Sequence, residues 1–258
     1  MIDTHNHLLP GVDDGAQDRE EMLEMCRIAS LDGIRVIVAT PHSFDDEYLN
    51  EPQHIKTIVS DLNRELNVTG IDLRVLPGME TRVSPDLEAN LAEGKVLTLN
   101  EGRYVLVEFH PAHLPSGFEN LASRLVESGR GLIVAHPEKN FELQRHPEYL
   151  FYLLQLFEWG DLLVQITASS ILGKNGYRAR ATAKNLLKSN LAHLIATDAH
   201  DAKMRPPTLA RAVEIAANLV GPQRAAQMVT DVPLAVLEGK GLPPAWEPDN
   251  PRRWWRLY

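Results

Sequence analysis

Cysteine is nearly absent from this chain, whose 258 residues include a single one, Cys26. A lone cysteine excludes an intramolecular disulfide, a cysteine-rich zinc module and a Cys-x-x-Cys redox site. Cys26 lies in an apolar helical pattern and the sixth residue after it is Asp32, so the Cys-x5-Arg loop of thiol phosphatases is also missing. We therefore do not expect a thiol to carry the chemistry.

Positive charge and long apolar runs are also scarce. The chain contains 26 lysines and arginines against 35 acidic residues. The resulting formal net charge of −9 argues against an extended surface that binds the phosphate backbone of nucleic acid. No window approaches 18 consecutive apolar residues, and the first residues lack the basic and apolar segments of a signal peptide. These absences predict a cytoplasmic protein that is not inserted in a membrane.

Several common catalytic and nucleotide-binding motifs are missing as well. No glycine-rich dinucleotide or P-loop fingerprint follows any predicted strand. Ser43 and Ser116 lack the G-x-S-x-G context of a serine nucleophile. The chemistry must therefore come from other side chains.

Short apolar runs alternate with amphipathic stretches along most of the chain. The predicted strands are Met1–His5, Arg35–Ala39, Leu73–Leu76, Tyr104–Phe109, Gly131–Ala135, Leu162–Ile166 and His193–Ala196. The predicted helices are residues 19–31, 53–66, 85–93, 118–128, 147–158, 177–189 and 208–220. Strands with little alternation are typical of a parallel sheet covered by helices. Seven such units predict a closed α/β barrel, with an open doubly wound sheet as the alternative.

The end of the chain differs in composition from the rest. Residues 242–258 contain four of the 17 prolines and three of the four tryptophans. We expect residues 1–241 to form the domain and this tail to pack on it through its indoles. Alternatively, the tail contacts a partner or a second copy of the chain, which would give a homo-oligomer.

Metal-binding side chains occur where the predicted strands end. His5 and His7 are two residues apart in an extended segment, so both point to the same side. Six others end or follow later strands: His42, Glu80, Glu108, His136, Asp198 and His200. A single histidine on a strand is usually structural, but barrel active sites form at the carboxyl ends of the strands. Eight such residues on one rim predict a site for several metal ions.

The types of ligand indicate the chemistry. Imidazole and carboxylate without thiolate suit Mn²⁺, Fe²⁺ or Zn²⁺ in a catalytic site. Two or three such ions clamp a phosphate ester and lower the pKa of a bridging water toward neutrality. The residues thus predict metal-dependent hydrolysis of a phosphate ester by an activated hydroxide.

The residues at these positions resemble the PHP (polymerase and histidinol phosphatase) superfamily. The motifs are Asp3-Thr4-His5-Asn6-His7, Thr40-Pro41-His42, Gly78-Met79-Glu80, Glu108-Phe109, His136-Pro137-Glu138 and Thr197-Asp198-Ala199-His200. Leu9-Pro10-Gly11 followed by Asp13-Asp14-Gly15 resembles, more narrowly, the bacterial manganese-dependent tyrosine-protein phosphatases that control capsule and exopolysaccharide synthesis. The resemblance covers about residues 1–238. It implies a distorted (β/α)7 barrel with three divalent ions, manganese before iron or zinc.

The resemblance also implies how the ligands are divided. One ion would be bound by His5, His7, Glu80 and Asp198. A second ion would be bound by Glu108 and His136, with Glu80 bridging the two ions. The third ion would be bound by Asp14, His42 and His200. Asp14 enters through the resemblance alone, because the residue pattern by itself suggests a turn or a cap there. We expect Asp13 to orient the site through a hydrogen bond.

A phosphatase also needs cations for the phosphate oxygens. The family motif His-Pro-Glu-Arg is here His136-Pro137-Glu138-Lys139, so a point charge replaces a planar bidentate donor. Arg205 falls where these phosphatases carry an arginine. We expect both cations to contact phosphate, the alternative being solvated surface charges. Arg145 and Lys203 are secondary candidates that we expect at the surface.

The histidines and acidic runs that have not been assigned to the site are expected to be structural or solvated. The remaining histidines are His54, His110, His113, His146 and His193. His110 and His113 closely follow Glu108 and alternatively line the mouth of the pocket. The acidic runs Asp18–Glu24 and Asp45–Glu47 are expected to be solvated.

The resemblance implies hydrolysis of phosphotyrosine in a protein, with a bacterial tyrosine kinase of polysaccharide assembly as the expected partner. The alternative is a small-molecule phosphatase of the same superfamily, with a substrate such as histidinol phosphate. A third hypothesis is a nuclease or polymerase-associated domain. The net negative charge and the absence of a fused polymerase region count against it.

Overall fold

The computed structural model describes residues 1–45, 47–239 and 242–243. In this part of the chain the strands are β1 (Ile2–Asn6), β2 (Val36–Ala39), β3 (His42–Ser43), β4 (Arg74–Pro77), β5 (Glu80–Arg82), β6 (Tyr104–Glu108), β7 (Gly131–Ala135), β8 (Leu162–Thr167) and β9 (Leu194–Ala196). The helices are α1 (Arg19–Leu31), α2 (Pro52–Thr69), α3 (Leu87–Ala92), α4 (Phe118–Glu127), α5 (Glu148–Leu156), α6 (Ala168–Leu172), α7 (Gly176–Lys188), α8 (Ala210–Val220), α9 (Pro222–Gln227) and α10 (Asp231–Glu238). Single 3-10 turns cover Leu99–Glu101 and Pro137–Lys139.

All strand pairs are parallel, and the strands fall into two sheets with the orders β1-β2-β4 and β3-β5-β6-β7-β8-β9. β3 continues the line of β2 beyond Pro41, which has no N–H for a ladder, and β5 continues the line of β4. The amide of Asp198 donates to the oxygen of His5, and the amide of His7 donates to the oxygen of Ala199, each at 2.9 Å. These bonds join the end of β1 to the segment after β9. The predicted distorted (β/α)7 barrel is confirmed, and the open-sheet alternative is wrong.

Alternate residues of the strands face two different cores. In β6, Val105 and Val107 pack in the outer layer against the helices, whereas Leu106 lies in the barrel interior. Val232 and Val236 of α10 join that interior cluster. The helix α10 therefore covers the amino-terminal end of the barrel, and the carboxyl ends of the strands remain for the site.

The predicted strands all form, with boundaries that differ from the prediction by at most one residue. Helices α6, α9 and α10 were not predicted, because five to eight residues are too few for a clear helical period. The strands β3 and β5 were missed for the same reason, since they have two and three residues. None of the helices in the described ranges has the length and apolar character that a membrane span requires.

Only the start of the distinct carboxyl-terminal tail is described. Leu242 packs against the interior cluster, and Nε1 of Trp159 donates to the oxygen of Pro243 at 2.9 Å. The tryptophans of the tail, on which its predicted packing or partner contact depends, lie outside the described residues. The division into residues 1–241 and 242–258 therefore stays a prediction.

Candidate metal centre

The side chains predicted as metal ligands converge at the carboxyl ends of the strands. Most of them are buried, while Asp14 is half exposed at the outer edge. Their nitrogens and oxygens fall into groups within 4.8 Å that draw on all nine: His5, His7, Asp14, His42, Glu80, Glu108, His136, Asp198 and His200. The sequence thus placed a real cluster of donors on one rim.

Glu80 lies at the centre of the cluster. Its Oε2 is 3.1 Å from Nε2 of His5, 3.1 Å from Nδ1 of His42 and 3.4 Å from Nε2 of His7. Its Oε1 is 2.8 Å from Nε2 of His136. Oε2 is buried and makes no hydrogen bond of acceptable geometry within the described chain. A buried carboxylate oxygen that faces several imidazole nitrogens without a hydrogen bond fits a bridging metal ligand.

The charges around Glu80 favour its ionised form. Burial acts to raise the pKa of Glu80, but the imidazoles of His5 and His136 hold it well below its usual range. Burial acts in the same way on Asp198, and Lys139 and His5 nevertheless hold the pKa of that carboxyl well below its usual range. Both groups are therefore carboxylates at neutral pH, as metal ligands must be.

Asp14, His42 and His200 form the outer corner of the cluster. Oδ1 of Asp14 lies 3.3 Å from Nε2 of His200 and 3.6 Å from Nε2 of His42. The hydrogen bond from His200 lowers the pKa of Asp14, while burial and the neighbouring His7 lower the pKa of His200. A neutral imidazole beside a carboxylate is the pair of ligand forms that a divalent cation requires.

Gly15 brings Asp13 and Asp14 to this corner. The amide of Ala16 donates to the oxygen of His7 at 3.1 Å, so the loop folds back onto β1. A Cβ at Gly15 would lie 1.8 Å from that oxygen, so no other residue fits. The glycine of the Asp-Asp-Gly motif is thus explained by the close approach of two backbones.

Hydrogen bonds orient the two histidines of β1. Nδ1 of His7 lies 2.7 Å from Oδ2 of Asp13, and Asp13 raises the pKa of His7 well above its ordinary value despite burial. Nδ1 of His5 lies 2.8 Å from Oε1 of Gln165. Both contacts leave Nε2 facing the centre of the cluster. The geometry agrees with the role expected for Asp13, whereas Gln165 was missed, although a polar residue inside a buried strand is a recognisable signal.

Asp3 is a second residue whose part was not predicted. It is fully buried, and its carboxylate accepts hydrogen bonds from the amide and hydroxyl of Thr197 and from the side chain of Asn6. Burial raises the pKa of Asp3 against the effect of these hydrogen bonds. Asp3 thereby ties β1 to the residue that precedes Asp198.

Two of the predicted ligands have left-handed backbones. His136 has φ of 31° and Asp198 has φ of 51°. A residue with a Cβ is strained in this region, and such strain is retained where the surroundings impose it. The conformation turns each side chain at the end of its strand.

Lys139 and Arg205 both reach the cluster. Nζ of Lys139 forms an ion pair with Oδ2 of Asp198, and a guanidinium nitrogen of Arg205 lies 3.1 Å from the same oxygen. The structure also brings in Arg82, whose guanidinium lies 2.8 Å from Oε1 of Glu108 and which the sequence did not single out. Three cations thus contact carboxylates of the cluster.

Asp45 corrects one expectation. Its acidic run was predicted to be solvated, but the Asp45 side chain is 7% exposed and its Oδ2 lies 3.9 Å from Nδ1 of His42. Its Oδ1 accepts hydrogen bonds from the backbone amides of Glu47 and Tyr48. The carboxylate is withdrawn from solvent because it closes this turn.

The remaining histidines contribute no ligand to the groups found in the described residues. His193 is buried, and its Nδ1 accepts the amide of Val164 at 3.0 Å, which agrees with a structural role. His54 and His146 are exposed. The rings of His110 and His113 stack with centroids 4.2 Å apart in the loop after β6.

Comparisons with known proteins identify the relatives of this chain. The profile of a family described as capsular polysaccharide synthesis, CpsB/CapC, matches residues 1–238. The tyrosine-protein phosphatase YwqE of Bacillus subtilis (strain 168) is 40% identical over 205 residues, which are 80% of this chain and 79% of that protein. The tyrosine-protein phosphatase CpsB of Streptococcus agalactiae serotype III (strain NEM316) is 28% identical over 243 residues, 92% of this chain and 98% of that protein.

Two solved structures are informative at different levels. One solved structure comes from work on YwqE of Bacillus subtilis and CpsB of Streptococcus pneumoniae, which that work describes as unique metal-dependent tyrosine phosphatases. It superposes on this chain with a TM-score of 0.90 at 35% identity, and the match covers 96% of this chain and 98% of that chain. Histidinol phosphate phosphatase from Lactococcus lactis subsp. lactis Il1403 has a TM-score of 0.57 at 13% identity, covering 87% of this chain and 93% of its own. The second likeness is one of fold alone.

Proposed function

This chain belongs to the capsular polysaccharide synthesis family CpsB/CapC and is a metal-dependent tyrosine-protein phosphatase, and we propose that the cluster around Glu80 is its catalytic centre. The observation that carries this proposal is Oε2 of Glu80, which is buried among imidazole nitrogens without a hydrogen bond. Such an oxygen is costly to bury unless a cation completes its coordination.

The donors are proposed to hold three divalent ions, with manganese as the native metal. His5, His7, Glu80 and Asp198 would hold the first, Glu80, Glu108 and His136 the second, and Asp14, His42 and His200 the third. The grouping of the donor atoms supports this division, since Glu80, Glu108 and His136 form one set and Asp14, His42 and His200 share another with His7. Mixed imidazole and carboxylate ligands suit Mn²⁺.

Each part of the centre has a proposed task in phosphomonoester hydrolysis. The bound ions supply a Lewis acid and lower the pKa of water toward neutrality. Lys139 and Arg205 neutralise the non-bridging oxygens of the phosphate, because both cations lie on the exposed side of the buried carboxylates. Asp13 and Gln165 hold the rings of His7 and His5 with Nε2 directed inward.

The proposed substrate is phosphotyrosine of a bacterial tyrosine kinase of capsule or exopolysaccharide assembly, and the proposed location is the cytoplasm. The family description, capsular polysaccharide synthesis, supports this context. Relatives over most of the chain are tyrosine-protein phosphatases, which supports phosphotyrosine over a small-molecule ester.

The test is a metal analysis of the purified protein paired with turnover assays. We expect bound manganese, and hydrolysis of a phosphotyrosine peptide that is lost in a chelator and restored by Mn²⁺. Histidinol phosphate and a matched phosphoserine peptide serve as competing substrates, and single-stranded DNA tests for nuclease activity. A clear preference for histidinol phosphate would overturn the substrate assignment, and degradation of the DNA would support the nuclease alternative instead.

A further inference from the structure

The segment that carries the last two strands, residues 162–197, contains no acidic residue. Between Asp161 and Asp198 the sequence contains no aspartate or glutamate, although the whole chain carries a net charge of −9. The same stretch contains five cations: Lys174, Arg178, Arg180, Lys184 and Lys188. A run of one sign in a chain of the opposite net charge makes a local positive field.

These cations lie on and just before α7 and are not neutralised there. None of them makes an ion pair with an acid of the described chain. Lys174, Arg178 and Lys188 are exposed, and Arg178 is on the side of α7 that faces the groove described next. Their charge is therefore available to a partner.

A groove of about 460 Å³ runs between this side of α7 and the start of α5. Arg178 of α7 and Arg145, which precedes α5, both line it. Tyr177 also lines it and is 77% exposed. The groove contains one acid, Glu148, whose carboxylate lies 3.1 Å from Nδ1 of His146. Two arginines and an exposed aromatic ring suit a peptide with acidic side chains.

The groove adjoins the catalytic centre. Gln144 lines the groove, and its Nε2 donates to the main-chain oxygen of Glu138 at 2.9 Å. Glu138 directly precedes Lys139, which contacts Asp198 of the metal cluster. The groove therefore lies beside the turn that carries Lys139.

We propose that this groove, bounded by Arg145 and Arg178, binds an acidic segment of the phosphorylated protein next to its phosphotyrosine. The proposal rests on the proposed function, because it assigns part of the substrate to a surface beside the same site. The concave shape favours a peptide over a flat anionic membrane. Arginines that form no ion pair within the described part of the chain accelerate association with an acidic partner and select against a basic one.

The test uses an acidic peptide and a matched peptide in which glutamines replace the acidic residues. Each of the two is prepared without phosphate and with a phosphotyrosine. Direct binding of the fluorescently labelled unphosphorylated peptides is measured by anisotropy at low and high salt, without any dependence on catalysis. KM and kcat are measured for the phosphorylated pair, and p-nitrophenyl phosphate reports the catalytic centre alone. The variants are Arg145→Gln with Arg178→Gln, and Arg74→Gln as the control, an exposed arginine at the start of β4.

We expect the wild type to bind the acidic peptide more tightly than the glutamine peptide, and less tightly as salt rises. The double variant should raise KM for the acidic phosphopeptide by about three- to tenfold, with unchanged kcat and unchanged turnover of p-nitrophenyl phosphate. Arg74→Gln should behave as the wild type.

Equal affinity of the wild type for both peptides would overturn the proposal. So would a double variant that loses binding to vesicles containing phosphatidylglycerol while its peptide KM is unchanged, because the surface would then serve a membrane. Failure of the proposed function is a separate result, since it would appear as absent hydrolysis of p-nitrophenyl phosphate by the wild type with Mn²⁺.

Discussion

Oε1 of Glu138 accepts two hydrogen bonds from Thr167, one from its amide at 3.0 Å and one from its hydroxyl at 2.8 Å. Glu138 is fully buried, and it connects the turn after β7 to the end of β8. The neighbouring residue, Lys139, is thereby held in contact with Asp198. Glu138 is thus a positioning residue for a phosphate-binding cation.

We expect Glu138→Ala to lower kcat/KM by about tenfold or more, because both hydrogen bonds that fix the turn are lost. Glu138→Gln keeps an acceptor oxygen and should restore most of the activity. The readouts are kcat/KM for a phosphotyrosine peptide and inhibition by inorganic phosphate. Weaker inhibition by phosphate in the alanine variant alone would show positioning, and equal inhibition in all three proteins would exclude it.

His136→Ala should remove a metal ligand with little loss of fold. We expect kcat/KM to fall by more than about 100-fold and the bound metal to decrease, while the circular dichroism spectrum is unchanged. His54→Ala is the matched control, because His54 is exposed on α2. Wild-type turnover and metal content in His136→Ala would show that the ligand assignment is wrong.

Lys139 stands where the resembling phosphatases carry arginine. Lys139→Arg should strengthen inhibition by inorganic phosphate by about three- to tenfold, since a planar guanidinium can bind two phosphate oxygens. Lys139→Ala should lower kcat/KM by about 100-fold through the loss of a fixed positive charge. An unchanged inhibition constant in both variants would remove Lys139 from the phosphate site.

The thiol of Cys26 is not expected to take part in the reaction. Burial raises its pKa to about 12, so the reactive thiolate is scarcely populated at neutral pH. We expect Cys26→Ala to retain kcat within about twofold and native protein to resist inactivation by iodoacetamide. Rapid loss of activity with labelling of Cys26 would contradict this.

His193 should make the metal-free protein less stable in acid. Burial lowers the pKa of His193 to about 3 from an ordinary value of 6.5. Between these two pH values the imidazole is protonated in the unfolded chain but stays neutral in the folded protein. The contribution of His193 to the free energy of unfolding is thus fully present above pH 6.5 and is lost as the pH falls toward 3. The loss between pH 7.5 and 5.5 should be about 1.4 kcal/mol.

His193→Asn provides the comparison, because its amide oxygen can accept the Val164 amide without titrating in this range. Urea unfolding of both proteins in a chelator at the two pH values measures the difference. The variant should lose about 1.4 kcal/mol less free energy of unfolding than the wild type, since the other titrating groups are common to both. Equal losses would contradict the assignment.

The barrel architecture and most of the donors of the candidate site followed from local sequence. Apolar runs of four to six residues separated by helical patterns are enough to predict a barrel, because buried parallel strands have a distinctive composition. His5 and His7 share a side because strand residues alternate. Asp14 needed the family resemblance, since its loop has no strand-end position and reaches the cluster only through the close contact of Gly15 with β1.

The sequence by itself determined which donors stand at the strand ends, because that information is local and periodic. Only the tertiary structure decided that Oε2 of Glu80 lies among three imidazoles, that Gln165 orients His5 across 160 residues of chain, and that Arg145 and Arg178 border one groove. These relations depend on how far each strand is displaced along the barrel and on which loops meet at its rim. Residues distant in sequence set both, so no local pattern records them.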